Sequence, residues 1–431
     1  MSLHNKILLG LAAGAVVGGV ANAFAAGAPW LEWFAENVAG PAGQIFLRLL
    51  LMTVVPLVFA SVALGVAGLG DIRKVGRIGG MTLGYFLIST VIGVIIGVVL
   101  VNVLDPGSRI DAVTRADLLA TYQARAGEIQ ERPVTFGVQT LVNIVPRNPL
   151  RAAVDMDMLA VIFVSLIFGG ALTLIPTERA RPMIAVLEAL GDVVIKIVEL
   201  AMALAPYGVF ALVFVVASRF GWHLLEILGM YVVVVLFGLF LHAAVVQSLL
   251  VRFLGRMNPL HFWSRIRASM VTAFSTSSSN ATLPTNIAVA ETQLGIDPKV
   301  AGFVLPLGAT MNMNGTALYE GVTVLFLAQV FGIDLTVGQQ VVVVLLSVLT
   351  AVGAAGVPGG SLPLILLVMG AVGVPAEALA LILGVDRVLD MCRSTVNVTG
   401  DLTAAVFVDR MQASSERERL GAAPTVPGVD R

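Results

Sequence analysis

Residues 384–401 read GVDRVLDMCRSTVNVTGD, and they follow a run as apolar as LPLILLVMGAV at 362–372. At about 100° per residue of helix, Asp386, Asp390, Arg393, Asn397 and Asp401 fall within roughly an 80° arc, and only Arg387 leans away from it. Ionisable groups are expensive inside a membrane, and where several share one stripe they mark a substrate or ion pathway; a single one would read as a structural ion-pair member. Arg393 offers a planar fork for a carboxylate, and Asp390, one turn away, suits an ammonium. Together they describe an amino acid with an acidic side chain.

The rest of the chain supplies the setting. Its 431 residues are 58% hydrophobic and 12% charged, with a mean hydropathy of +0.94, against about 25% charged in soluble domains. This is the composition of an all-α polytopic membrane protein. A net charge of -1 argues against nucleic acid or anionic lipid as a general partner. Cys392 is the one cysteine, which rules out an internal disulfide, and four scattered histidines rule out a His/Cys metal cluster; no cofactor is expected. The first apolar segment, from KILLGLAAGAVVGGVANAF at 6–24, lacks a clear cleavage site and reads as a retained span.

Apolar runs follow near 6–27, 43–69, 79–104, 158–175, 183–217 and 226–254, several longer than the roughly 20 residues a span needs. After Arg256 the pattern changes. Segments near 268–290, 300–331, 339–352, 362–374 and 378–408 are shorter, broken by Gly and Pro, and carry Ser, Thr, Asn and Asp. Interrupted apolar segments point to a transporter's binding site, because unwound backbone is tolerated only where it lines a cavity. DIRKVGR (71–77), TERARP (177–182) and RFLGRMNPLHFWSRIR (252–267) are rich in Lys and Arg and should be cytoplasmic, whereas the mixed-charge loop 105–135 should face outside. An even number of spans then puts both termini in the cytoplasm, with a disordered tail over 413–431.

Three further stretches carry chemistry. FSTSSSNATLPTN (274–286) would be a flexible linker in a soluble protein; between apolar arms it fits a hairpin tip whose hydroxyl and N–H groups meet an anion. LPLGATMNMNGTALYEG (305–321) places Asn312, Met313, Asn314 and Gly315 inside an apolar helix. Helix packing would explain the small and amide residues, and an unwound turn offering carbonyl oxygens to sodium explains them better. AAGVPGGSLP (354–363) is either a plain loop or a mobile lid whose glycines allow backbone to approach a ligand.

The order serine hairpin, NMNGT, AAGVPGG, DMCRSTVNVTGD resembles the dicarboxylate/amino acid:cation symporter family, which includes the excitatory amino-acid transporters and the archaeal aspartate transporters. The similarity extends over LLMTVVPLVFASVALGVAGLGD (50–71) and LVNIVPRNPL (141–150). It implies a homotrimer of eight-helix protomers with two re-entrant helical hairpins, working as elevator-type transporters. In such a protomer 1–70 holds scaffold helices one and two, 76–104 helix three, and 105–218 scaffold helices four and five with an external loop. The transport core is 223–412: helix six, hairpin one at 259–293, helix seven at 298–331, hairpin two at 338–373 and helix eight at 376–412.

The resemblance also implies site residues. The substrate's side-chain carboxylate goes to Arg393 with Thr316, and its amino group to Asp390 with Ser394. Its main-chain carboxylate goes to Asn397, Ser279 and the hairpin backbone at Ser277 and Val357. One sodium site uses Asp401, Asn397, Asn312 and the Gly308 carbonyl. A second, closed by the lid, uses the Thr310 carbonyl and carbonyls near Ala351 to Ala354.

Three departures from the family pattern involve four positions. Asn314 stands where an aspartate normally helps hold a third sodium with Asn312 and helix-three hydroxyls, here Ser89 and Thr90. Glu320 stands where several archaeal members have glutamine and the eukaryotic excitatory transporters have glutamate. It is either a glutamate facing a water-filled crevice or a proton carrier, since burial favours the protonated form of a carboxyl group. Ser277 and Met391 are uncharged where members often carry an extra arginine. The function expected is sodium-coupled uptake of L-aspartate or L-glutamate, with a proton-coupled C4-dicarboxylate or glutamate carrier as the alternative; Asp390 argues against succinate. No GxSxG elbow, HExxH helix or Ser/His pairing suggests an enzyme, and a channel would need a symmetric pore lining. Short loops suit a prokaryotic inner membrane.

Overall fold

The structure is a computed structural model; it describes residues 3–68, 76–110, 145–154, 158–352, 356, 359–375 and 378–421. Of the loop 105–135 expected outside, residues 111–135 lie outside the described residues, as do most of DIRKVGR, Ala354, Val357 and the tail from 422. Among the described residues the secondary structure is helical throughout. In chain order the helices are α1 (Leu3–Ala25), α2 (Pro29–Phe34), α3 (Gly40–Leu51), α4 (Val54–Gly68), α5 (Gly76–Leu104), α6 (Pro149–Val154), α7 (Met158–Leu174), α8 (Thr177–Ala203) and α9 (Ala205–Leu241). A π-helical turn at His242–Gln247 leads into α10 (Ser248–Phe253), α11 (Pro259–Arg265), α12 (Arg267–Thr276) and α13 (Ser279–Thr292). Then come α14 (Pro298–Met311), α15 (Asn314–Val330), α16 (Val337–Val352), α17 (Leu362–Ala371) and α18 (Leu379–Gly421).

Among the described residues three stretches, Asn5–Ala25, Gly79–Leu104 and Glu226–Phe253, are long and apolar enough to cross a membrane alone; the pair Thr177–Ala203 and Ala205–Arg219, bent by 57°, makes a fourth if taken as one span. The remaining apolar helices are shorter or interrupted, and α14 to α18 bury their apolar side chains against each other. Helix α18 runs on to Gly421, past the boundary expected at 412. Its continuation MQASSERERLG is polar and rich in helix formers.

Close helix contact comes from small residues. Gly10, Gly14 and Gly18 of α1 lie against the carbonyls of Pro206, Phe210 and Phe214 in α9, and a Cβ at Gly14 would sit 2.7 Å from the Phe210 oxygen. A four-residue spacing of glycines puts bare backbone on one helix face, so two axes can approach closely. Gly97 does the same for α5 against α15, where a Cβ would meet the Leu318 carbonyl at 2.9 Å. Helix α9 is bent at Gly221, whose φ of 67° few other residues tolerate. Asn22 of α1 donates to the carbonyls of Ser218 (2.9 Å) and Arg219 (3.2 Å), capping the arm that ends there.

Candidate functional site

Three chain interruptions meet beside α18. The first is the hairpin of α12 and α13. Ser277 ends α12 in the left-handed conformation at φ 51°, and Ser278 caps α13 by accepting from the Ala281 N–H at 3.1 Å. The second is the break between α14 and α15, where Asn312 and Met313 leave helical geometry at ψ 60° and 53°. There the carbonyl end of one helix and the N–H end of the next point into the same space, one suited to a cation and the other to an anion. The third is the α16–α17 hairpin. Its Gly356 carbonyl accepts from Ser278 Oγ at 2.5 Å and from the Asn280 N–H at 3.2 Å, so the two hairpin tips are stitched together.

Helix α18 supplies the charged stripe, and every member is buried. Arg393 Nη1 donates to Asp386 Oδ1 at 3.0 Å, and its Nε donates to Asp390 Oδ1 at 3.0 Å. Nη2 lies 2.9 Å from the same Asp390 oxygen, an ion-pair contact whose N–H does not point along it. The guanidinium sits over the Tyr319 ring, 4.2 Å from its centroid, and the Tyr319 hydroxyl donates to Asp386 Oδ1 at 2.7 Å. Tyr319 is absent from the sequence expectations. Its signal was its position on α15, three residues past Thr316, where side chains share a face. Asp390 Oδ2 takes the Gly359 N–H of the α16–α17 hairpin at 3.1 Å and Arg387 Nη1 at 3.3 Å. Arg387, expected to lean away from the stripe, therefore joins it, because a long side chain reaches its i+3 neighbour.

Further along α18, Asn397 Oδ1 accepts from the backbone N–H of Gly315 (2.7 Å) and Thr316 (3.2 Å) at the start of α15, and its Nδ2 donates to Thr316 Oγ1 at 3.0 Å. Ser279 Oγ reaches Met313 Sδ at 4.0 Å, and Ser394 is buried on the stripe. Expected substrate residues 279, 316, 390, 393, 394 and 397 thus converge on one region, with Ser277 at the hairpin tip.

The expected cation residues lie further along α18 and on the helices it meets there. Asp401 Oδ1 accepts from Asn312 Nδ2 at 2.9 Å, and a Cβ at Gly308 would be 2.5 Å from that carboxylate oxygen. Only glycine lets the α14 backbone approach so closely. The Gly308 carbonyl takes the Asn312 N–H at 2.9 Å, and Thr310 and Ala351 sit in the last turns of α14 and α16. The last four carbonyls of a helix lack partners within it. Asn314 Nδ2 donates to Ser89 Oγ at 3.3 Å, beside buried Thr90. The side-chain oxygens of Asn312 and Asn314 are buried without a donor. Unpaired oxygens beside a carboxylate fit a hard cation such as sodium, which prefers oxygen ligands. Glu320 is fully buried, so it faces no open crevice. Its Oε2 accepts from Thr350 Oγ1 at 2.6 Å, and its Oε1 has no partner.

An all-helical protein with apolar spans, whose interrupted helices converge on one mixed-charge stripe, has the construction of a secondary transporter. The chain belongs to the sodium:dicarboxylate symporter family, whose profile matches residues 3–411. It is similar to the proton/glutamate-aspartate symporter of Escherichia coli, 34% identical over 393 residues covering 90% of this chain and 88% of that protein. It is 36% identical over 412 residues to the proton/sodium-glutamate symport protein of Bacillus subtilis, covering 95% and 92% of the two chains. It is also 34% identical over 387 residues to the C4-dicarboxylate transport protein of Rhodospirillum rubrum, covering 89% and 85%. These relatives are transporters, not enzymes.

Proposed function

We propose that this chain is a symporter that uses inward sodium movement to take up an acidic amino acid, L-aspartate or L-glutamate, across the inner membrane of a bacterium. The observation that carries this reading is the Arg393–Asp390 pair at the meeting point of three chain interruptions. An acidic amino acid brings both missing halves of that pair. Its side-chain carboxylate takes over Arg393, with Thr316, and its ammonium takes over Asp390, with Ser394. The α13 N-terminus at Ser279, the tip at Ser277, Asn397 and the lid backbone near Val357 are assigned the main-chain carboxylate.

Sodium is assigned to Asp401 with Asn312, Asn397 and the Gly308 carbonyl, and to the Thr310 and Ala351–Ala354 carbonyls under the lid. Each ligand stabilises the closed state that the others need, so coupling is a linkage effect. The domain division set out above, with a fixed scaffold, a core moving as an elevator, a homotrimer and cytoplasmic termini, belongs to the same reading.

A second reading, proton-coupled transport of glutamate or a C4-dicarboxylate, is favoured by two residues. Asn314 adds no charge to the third cation position, and Glu320 is a buried carboxyl group with one oxygen unpartnered. Uptake of labelled L-aspartate into proteoliposomes, with sodium and proton gradients imposed separately and succinate as competitor, separates the two. Sodium-driven uptake that favours aspartate over succinate supports the first reading. Uptake driven by protons alone withdraws the sodium assignments and passes the coupling role to Glu320.

A further inference from the structure

Asp390 has more partners than a substrate-binding carboxylate requires. A carboxylate offers about four acceptor sites. On Oδ1 Arg393 places Nε at 3.0 Å and Nη2 at 2.9 Å, and on Oδ2 stand the Gly359 N–H at 3.1 Å and Arg387 Nη1 at 3.3 Å. Both Arg387 and Asp390 are buried, with side chains 7% and 6% exposed. Two arginines and two aspartates thus form a network, Asp386–Arg393–Asp390–Arg387, whose own formal charges balance.

A ligand enters such a network by exchange. Arg393 can keep Asp386 through Nη1 while Nε and Nη2 turn from Asp390 to a ligand carboxylate. That turn vacates Oδ1 and leaves Oδ2 held by Arg387 and the lid. An acidic amino acid fills the vacancy with its ammonium. A dicarboxylate without an amino group leaves it empty, and a buried carboxylate that loses its partner is costly unless another cation remains. Arg387 is that cation.

We infer that Arg387 is a specificity-determining residue: by holding Oδ2 of Asp390 it compensates that carboxylate when the ligand carries no ammonium, so the pocket admits C4-dicarboxylates as weaker ligands beside the acidic amino acid. The inference rests on the assignment of Asp390 to the substrate amino group made above. Arg387 acts here through Asp390, one turn along α18, and not by contact with the reading groups of an amino acid.

The test is the ratio of the succinate inhibition constant to the KM for labelled L-aspartate, measured in proteoliposomes for the wild type and for Arg387→Gln. Both constants come from one preparation, so the ratio does not depend on how much protein is active. Removing Arg387 should raise the ratio at least about tenfold while aspartate uptake persists, because the ammonium supplies what the arginine did. In Arg387→Lys, whose shorter cation holds Asp390 less well, the ratio should lie between the two, and this variant carries the test if Arg387→Gln does not fold. A wild type that succinate does not inhibit, a ratio within twofold of wild type in Arg387→Gln, or folded Arg387→Gln protein that has lost both ligands overturns the role of Arg387. If the wild type takes up aspartate in any of these cases, the symporter reading survives; if it takes up none, both fall.

Discussion

The two ends of the α18 stripe treat charge in opposite ways. From Asp386 to Arg393 the aspartates and arginines neutralise one another, and Tyr319 adds a hydroxyl and a ring face. About two turns on, Asp401 is equally buried but meets an amide, Asn312, and among the described residues no basic side chain pairs with it. The first arrangement pairs its own charges, so a ligand must replace what it displaces, and one that brings both signs does so most fully. The second has a carboxyl group with no basic partner among the described residues, an arrangement that suits a cation. One helix face thus carries two kinds of selectivity, set by whether an arginine lies within reach.

The largest expected effect breaks the paired end. Arg393→Ala leaves Asp386 and Asp390 without their shared partner, at a cost of about 3–5 kcal/mol, and removes the carboxylate fork. Aspartate uptake into proteoliposomes should fall at least about 100-fold, whereas normal uptake would remove Arg393 from the site. At the other end, Asp401→Asn removes the charge that a cation would meet. The sodium concentration for half-maximal aspartate binding should rise roughly 30-fold, in keeping with about 2 kcal/mol for one charged contact, while the preference for aspartate over succinate stays as it was. A sodium response equal to wild type would show that the two ends do not divide the work.

Asn314→Asp sharpens the same contrast by adding a carboxylate between Ser89 and the helix break. The dependence of aspartate affinity on sodium should steepen by about one ion per substrate, read from binding titrations over a range of sodium. The smallest effect on transport is expected away from both ends. Gly14→Val forces a side chain against the Phe210 carbonyl and should cost about 1–3 kcal/mol of stability, seen as a lower melting temperature, with selectivity unchanged.

Much of this site was legible in the sequence because its signal is periodic. Asp386, Asp390, Arg393, Asn397 and Asp401 share a face for the reason any residues at such spacing do. The helix break was visible in NMNG, since amides and glycine interrupt an apolar run only where backbone polar groups need partners. Contacts between elements were less legible. Tyr319 meets Asp386 across two helices, which no pattern along one helix shows, whereas Arg387 reaches Asp390 at i+3 and was readable in principle from that spacing. The α1–α9 contact was readable in principle from Gly10, Gly14 and Gly18. The number of spans is harder to read because the helices nearest the site are short and broken, and their partners are other helices.

The stitch at the hairpin tips has a consequence for leakage. One oxygen, that of Gly356, holds both Ser278 Oγ and the Asn280 N–H. Whichever tip swings away first, the same two bonds break, and the α16–α17 hairpin must also release its Gly359 N–H from Asp390. Each bond is worth roughly 1 kcal/mol net, a seam that thermal motion can part without stored energy.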